Sequence, residues 1–265
     1  KYRWLSPRTI EALKENYVWL AKISSLNDPF ECSIQFDNDE CLRFFYSSDD
    51  FRNNFRNWTG EKLSLKEIDR LTKSDKPYEE YLALFKEKGM IINVTSEEQL
   101  KKVQNRWDEI VAERNQSLKI CSFSLVKNSL LLWSHYAQDH KGISIEYDFE
   151  DSKDLRAFMQ PVIYRNRVHK IGLFEEYTTM NMIVSGLIKS EDWKYEQEWR
   201  LTIFKQGDEF PNKMKVPKPI AIYLGTRFNE NDETLISELY DYAEQNNVTL
   251  KQMTKHPNKF ELTEK

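Results

Sequence analysis

The stretch from Asp192 to Phe204 alternates between two classes of side chain. The mainly apolar class is Trp193, Tyr195, Gln197, Trp199, Leu201 and Ile203, and the polar class is Lys194, Glu196, Glu198, Arg200 and Thr202. A period of two is typical of a β-strand, because successive side chains point to opposite faces. The aromatic and β-branched content also favours a strand. The pattern therefore predicts a central strand with Trp193 and Trp199 buried on one face and both glutamates on the other.

Two carboxylates on one strand face repel each other, so either nearby cations offset this repulsion or the pair serves a function. Cations such as Lys194 and Arg200 can neutralise it, which makes it a charged ladder of purely structural use. Alternatively, a site uses the pair for acid–base chemistry, for holding ribose hydroxyls or for stabilising a developing cation. The spacing of Glu196 and Glu198 leaves both interpretations open.

Composition excludes several classes of protein. A net charge of −4 and a pI near 5.8 argue against a chain coated in positive charge for generic nucleic-acid binding. Cys32, Cys41 and Cys121 form no CxxC pair and only four histidines occur, which argues against a structural zinc site. A low, odd number of cysteines suits a reducing cytosol, and no apolar run reaches the length of a membrane span. We therefore expect a cytoplasmic protein without membrane association.

Strand and helix patterns alternate irregularly along the 265 residues, which predicts an α+β fold in one domain. From residue 40 to 117 the charge density rises, glycine nearly disappears and apolar residues recur at helical spacing. This segment is predicted to be a helical insertion within the domain. A further helix is predicted from Phe174 to Ile188, leading into the alternating strand.

Three other places carry side chains capable of chemistry. Ser122 and Ser124 share one face of a predicted strand, although hydroxyl pairs in strands are common and no GxSxG elbow is present. His135 and Tyr136 lie on a predicted helix, where a lone histidine is most often structural. The loop from Asn27 to Glu31 is rich in acceptors. A turn capped by its own Asn and Asp side chains is the favoured interpretation, and a substrate-facing loop is the alternative.

Several short motifs together resemble a known family, domain-of-unknown-function family 2971, found in bacteria and in phage-defence neighbourhoods. The motifs are Lys-Tyr-Arg at residues 1–3, Leu-Asn-Asp-Pro-Phe-Glu at 26–31, Cys-Ser-Phe-Ser at 121–124, Leu-Trp-Ser-His-Tyr-Ala at 132–137, Lys-Gly-Ile at 141–143 and Trp-Lys-Tyr-Glu-Gln-Glu-Trp-Arg at 193–200. The resemblance implies a bacterial protein and a partner protein in a defence system, but no mechanism.

The chain is also similar, in the order of its motifs, to ADP-ribosyltransferases of the Arg-Ser-Glu type, whose sheet core is mixed or antiparallel. Arg3, the Ser122–Ser124 pair and the Glu196–Glu198 pair occur in that family's order. The resemblance implies NAD as a co-substrate, with Arg3 on a phosphate and the two serines ordering the site. It further implies that Glu198 holds a ribose hydroxyl, that Glu196 activates a protein or nucleic-acid acceptor and that His135 and Tyr136 wall the nicotinamide pocket. Such an enzyme would be a toxin or an anti-phage effector that needs no metal.

Two alternatives stay open at this stage. One is a non-catalytic binding or sensor module of a phage-defence system, in which the acidic strand is structural. The other is a nuclease in which Asp28, Glu31, Glu196 and Glu198 gather Mg²⁺. A metal site needs those carboxylates to converge on one point, whereas a transferase needs Arg3, Ser122 and Glu198 to line one cleft.

Overall fold

The computed structural model describes residues 1–171, 179–204 and 212–265. The helices within these residues are α1 (Pro7–Lys14), α2 (Asn38–Ser47), α3 (Asp49–Thr59), α4 (Leu65–Lys73), α5 (Pro77–Glu87), α6 (Ser96–Asn115), α7 (Leu130–Tyr136), α8 (Lys153–Arg156), α9 (Thr179–Ser185) and α10 (Glu233–Asn246). The strands are β1 (Tyr2–Arg3), β2 (Tyr17–Trp19), β3 (Ala21–Lys22), β4 (Ile34–Phe36), β5 (Leu118–Ser124), β6 (Ile143–Glu146), β7 (Met159–Pro161), β8 (Ile163–Arg165), β9 (His169–Ile171), β10 (Ile188–Ser190), β11 (Glu198–Phe204), β12 (Lys213–Lys215), β13 (Ala221–Leu224), β14 (Thr249–Lys255) and β15 (Leu262–Glu264).

The chain divides into two compact units. The first, here called the sheet unit, comprises residues 1–31, 117–167 and 186–265, and the second, the helical unit, comprises 32–116 and 168–185. The α+β fold class is confirmed, since the described residues combine helices with mixed and antiparallel sheets. No helix among them has both the length and the apolar character needed to cross a bilayer.

Two sheets organise the sheet unit. A mixed sheet has the order β1-β6-β13-β14-β15, in which β13 and β14 are parallel and the other pairs antiparallel. The second sheet, β3-β5-β11-β7, is antiparallel throughout. Helices α1 and α10 cover one side of the mixed sheet through a core that includes Ile10, Leu13, Ile143, Ile222 and Leu239. Burial of these side chains supplies the main driving force for this packing.

The N-terminal helix begins where its sequence indicates. Ser6 is the N-cap and accepts a hydrogen bond from the backbone N–H of Thr9, while Pro7 occupies the first turn. Three residues, 4–6, separate this short, capped helix from the end of β1. Arg3 at the end of the strand and Arg8 in the first turn of the helix are therefore separated by a short connection.

The alternating stretch is only partly a strand, so its predicted extent is wrong. Residues Glu191–Glu196 form a 3₁₀ helix that ends at Gln197 with a φ of +42°, and β11 begins at Glu198. The strand is internal in its sheet, as expected, because it pairs with both β5 and β7. The prediction of buried tryptophans is also wrong, since Trp193 and Trp199 are half-buried, whereas Glu196, Glu198, Arg200 and Thr202 are buried. The polar face of this segment therefore faces inward.

The helical unit contains α2 to α6, α9 and the parallel pair β4–β9. Its core is aromatic, with Tyr46, Phe51, Phe55, Tyr81 and Phe85 buried among themselves and against leucines of α2, α4 and α5. Of the helix predicted from Phe174 to Ile188, residues 174–178 lie outside the described residues. Its remaining part is α9, and the end of the prediction is wrong because Ile188 already begins strand β10.

Candidate functional site

A cavity of about 510 Å³ opens in the sheet unit. Its lining contains every side chain that the sequence nominated for catalysis or cofactor binding: Arg3, Ser122, Ser124, His135, Tyr136, Glu196 and Glu198. These residues come from β1, β5, α7, the 3₁₀ helix and β11. Cavities of this size accommodate small molecules and cofactors. The chain fold therefore brings together segments that are up to 195 residues apart in sequence.

Five buried charges form the floor of this cavity. Three are the carboxylates of Glu31, Glu196 and Glu198, and two are the cations Lys189 and Arg200; the side chain of each is at most 5% exposed. Their formal sum is one negative charge. Buried ions are tolerated only when they are paired and hydrogen-bonded, so the geometry of each contact decides whether the cluster is stable.

Arg200 uses all five of its N–H donors. Its Nε and Nη2 donate to the two oxygens of Glu198 at 2.7 and 3.2 Å. Its Nη1 and Nη2 donate to the two oxygens of Glu31, each at 2.7 Å, and Nη1 also donates to the carbonyl oxygen of Gly186 at 2.7 Å. Such paired contacts between a planar guanidinium and carboxylates are among the strongest hydrogen bonds in proteins. Arg200 therefore fixes Glu198 and Glu31 relative to each other.

Lys189 joins the two glutamates of the alternating stretch. Its Nζ donates to Oε2 of Glu196 at 2.7 Å and to Oε2 of Glu198 at 3.1 Å. The same ammonium lies 4.7 Å from the centroid of the Trp193 ring. Although Glu196 precedes the strand and Glu198 begins it, one cation thus holds both carboxylates within reach of a common point.

Glu196 is linked through Tyr136 to an exposed side chain. Its Oε1 accepts a hydrogen bond from the hydroxyl of Tyr136 at 2.8 Å, and that hydroxyl accepts one from the exposed amide of Asn27 at 3.3 Å. The hydroxyl of Ser124 donates to the backbone carbonyl oxygen of Glu196 at 2.6 Å and so fixes the turn that presents it. Tyr136 therefore holds the carboxylate of Glu196, and Ser124 holds its backbone.

The environments of the two glutamates push their pKa values in opposite directions. Burial raises the pKa of Glu196, and the contacts to Lys189 and Tyr136 only partly offset this effect. Burial would also raise the pKa of Glu198, but Arg200, Lys189 and a hydrogen bond from Ser122 outweigh it and lower the pKa to about 2. Opposed shifts in a carboxylate pair are the arrangement that separates a proton-transfer group from a permanently ionised one.

Guanidinium groups without carboxylate partners line the same cavity. Among the described residues, neither Arg3 nor Arg8 has a carboxylate within ion-pairing distance. The guanidinium carbon of Arg8 lies 3.7 Å from the centroid of the Trp19 ring. Trp4, whose side chain is 59% exposed, lines the same cavity. The cavity thus combines two guanidiniums that form no ion pair within the described residues with a buried acidic floor.

The remaining nominated residues are placed as follows. Ser122 lies opposite Arg200 and Ser124 opposite Glu198 in the β5–β11 register. The exposed imidazole of His135 lies edge-on to the ring of Tyr136, with centroids 6.2 Å apart. Lys194, proposed from the sequence to neutralise the glutamates, is exposed, and Lys189 has that position instead. No local pattern marks Lys189, Trp4, Arg8 or Trp19, since only the tertiary fold brings them to the cavity.

The four carboxylates proposed to gather Mg²⁺ are held by protein donors. Both oxygens of Glu31, Glu196 and Glu198 accept hydrogen bonds from side chains of the protein. Asp28 is buried and accepts from the backbone N–H of Phe30 at 2.8 Å, the turn geometry expected of an Asp before proline. Within the described residues, no group of three or more His, Cys, Asp or Glu side chains is arranged to hold a metal ion.

Comparison with known proteins yields one match. A family model described as "Protein of unknown function (DUF2971)" matches residues 132–201. This segment contains His135, Tyr136, Lys189, Glu196, Glu198 and Arg200. No curated protein and no solved structure matches the chain. The similarity thus covers four of the five floor residues, Lys189, Glu196, Glu198 and Arg200, whereas Glu31, Arg3 and the serines of β5 lie outside the matched segment.

Proposed function

We propose that the chain is an NAD-using enzyme similar to ADP-ribosyltransferases of the Arg-Ser-Glu type, with a related sheet core. The observation that carries the proposal is that Arg3, Ser122 and Glu198 line one cavity together with the other four nominated residues. A dinucleotide has a negatively charged pyrophosphate and a ribose that becomes cationic when nicotinamide leaves. Guanidiniums without an ion-pair partner in the described part of the chain suit the pyrophosphate, and an acidic floor in the same cavity suits the cationic ribose.

Glu198 is the group suited to stabilising the transition state. In the reaction, the bond between ribose C1′ and the nicotinamide nitrogen breaks, the bonding electron pair leaves with neutral nicotinamide, and oxocarbenium charge develops on the ribose. With a pKa of about 2, Glu198 stays ionised at neutral pH. The formal charge of −1 on the five-residue floor means that Lys189 and Arg200 orient the carboxylates without cancelling them, so a developing positive charge is favoured there.

Glu196 is the group suited to activating the acceptor. A nucleophile on a protein or nucleic acid attacks C1′, and its proton passes to the Glu196 carboxylate. A raised pKa makes a carboxylate a better proton acceptor near neutral pH, and Glu196 is linked through Tyr136 to the exposed Asn27. Arg3 binds a phosphate of the dinucleotide, a role that suits a planar guanidinium without a carboxylate partner. A toxin or an anti-phage effector acting with a defence partner is the cellular role proposed for this activity.

The test is release of nicotinamide from NAD in the presence of a chelator, with and without cell lysate as a source of acceptor. We expect Glu196→Gln to lower the rate about a hundredfold or more, the scale of removing a general base. Arg3→Ala should weaken NAD binding in calorimetry. Glu261→Gln and Arg52→Ala are matched controls, since both residues lie outside the cavity and Glu261 is exposed. A wild-type protein that neither binds NAD nor releases nicotinamide contradicts the proposal.

A second candidate function is a non-catalytic nucleotide-binding module. The observation that favours it is that all six carboxylate oxygens of Glu31, Glu196 and Glu198 are already occupied by protein donors. In that case NAD binds by calorimetry, Arg3→Ala weakens the binding, and no nicotinamide is released under any condition. Cleavage of nucleic acid that requires Mg²⁺ would instead favour the nuclease.

A further inference from the structure

The cavity has a part that the proposed chemistry does not use. Trp4, Arg8 and Trp19 all line it, and none belongs to the acidic floor or to the motifs of the transferase resemblance. They come from the connection after β1, the first turn of α1 and the end of β2. Each residue is within the sheet unit, so the fold of that unit alone positions them.

Two features of these residues point to a ligand. The guanidinium of Arg8 lies over the Trp19 ring at 3.7 Å and forms no ion pair with a carboxylate of the described residues, which gives a planar, positively charged surface. Trp4 is 59% exposed although it lines a cavity. A large aromatic side chain that is exposed in the same cavity as a cation–π pair has apolar area that a planar ligand can cover.

We propose that Trp4 and the Arg8–Trp19 pair form the binding site for the adenine base of an adenosine nucleotide. Purines stack on tryptophan and on arginine planes in proteins that bind nucleotides and single strands. Arg3 lines the same cavity and is the group proposed above to bind a phosphate of the dinucleotide. This inference rests on the proposed function, since it assigns the adenosine half of the same dinucleotide, and it makes the cavity selective for ligands that contain adenine.

Calorimetric titration with three probes tests the assignment. NAD and ADP-ribose contain adenine, whereas nicotinamide mononucleotide lacks it. Stacking of one base on an aromatic side chain corresponds to about a fivefold to hundredfold change in affinity. We therefore expect Trp4→Ala to weaken the binding of NAD and of ADP-ribose by that factor and to leave the affinity for nicotinamide mononucleotide unchanged. Arg8→Lys keeps the charge but loses the planar group that stacks, so it too should lower the affinity for the adenine-containing probes alone.

Trp58→Ala is the matched control, because Trp58 is 50% exposed and lies in the helical unit. Equal losses for all three probes in Trp4→Ala, or no loss for any, would overturn the adenine assignment, as would a wild-type protein that binds neither NAD nor ADP-ribose. Failure of the proposed function looks different. If ADP-ribose binds in a Trp4-dependent manner while no nicotinamide is ever released, the adenine site stands and the transferase does not.

Discussion

Arg200 in the sheet unit and Arg70 in the helical unit each hold two glutamates, but in different surroundings. Arg200 is 1% exposed and its partners Glu31 and Glu198 are equally buried. Arg70 is 35% exposed and contacts Glu80 and, at 2.9 Å, Glu87, which is more than half exposed. Exposed pairs contribute little because water and salt screen them, whereas breaking a buried pair leaves an uncompensated charge. The same combination of one arginine and two glutamates is therefore a weakly stabilising surface cluster in the helical unit and a buried, geometrically fixed cluster in the sheet unit.

Removal of each arginine should show the largest contrast between the two clusters. Arg200→Met keeps much of the side-chain volume but leaves Glu31 and Glu198 without their main partner, so we expect a loss of about 3–5 kcal/mol in the free energy of unfolding. Arg70→Met should cost at most about 1 kcal/mol. Urea unfolding followed by circular dichroism measures both, and losses of equal size would show that burial does not separate the two clusters.

The second-largest contrast between the two clusters is expected in the pH dependence of stability. Because the pKa of Glu198 is lowered to about 2 in the folded protein, its contribution is complete above the unfolded pKa of about 4.5 and is lost as the pH falls from there toward 2. The contribution is on the order of 3 kcal/mol. The raised pKa of Glu196 acts in the opposite direction, favouring the folded state as the pH falls.

Unfolding measured in urea between pH 6 and pH 3 separates these effects. Glu198→Gln should be less stable than the wild type at pH 6 and should lose less stability on acidification, because the titrating carboxyl is gone. Glu87→Gln, the matched change beside Arg70, should follow the wild-type curve. A Glu198→Gln variant whose pH dependence parallels the wild type would show that the charge of this residue contributes nothing to the fold.

The smallest expected effect concerns a single hydroxyl. The hydrogen bond from Tyr136 lowers the pKa of the Glu196 carboxyl in the wild type. Tyr136→Phe removes this bond, so the free energy of unfolding should fall by about 1–2 kcal/mol and the pKa of Glu196 should rise further. If the proposed activity is present, the pH–rate profile should shift to higher pH. Tyr78→Phe in the helical unit is the control, since its exposed hydroxyl donates only to the carbonyl of Val94. An unchanged profile would separate Tyr136 from the chemistry.

Much of the local structure is readable from the sequence. Ser6 and Pro7 start α1 as expected, Lys119–Leu125 is recognised as the strand that the structure places at Leu118–Ser124, and residues 38–115 form helices where apolar side chains recur at helical spacing. These features depend on neighbours within a few residues of one another. Caps, turns and the periodicity of apolar side chains act at that range.

The alternating stretch shows where local pattern fails. Its period of two predicted one strand from residue 193 to 203 with the tryptophans inside, but Gln197 adopts a left-handed conformation and ends a 3₁₀ helix there. Periodicity identifies the two faces of a segment but not which of them is buried. Here Lys189 of β10 forms ion pairs with Glu196 and Glu198, and Arg200 of β11 pairs with Glu198 of the same strand. This pairing allows the polar face to be the inner one.

The sequence by itself determined the α+β class, the start of α1 and seven of the polar residues that line the cavity. Only the tertiary structure decided that Arg3, Ser122, Tyr136 and Glu198 line one cavity, that Lys189 is the cation between the two glutamates, and that Trp4 and Arg8 face the same space. The physical reason is distance along the chain. Hydrogen bonds and ion pairs act over a few ångströms, and only packing of the whole unit brings residues so far apart in sequence within that range.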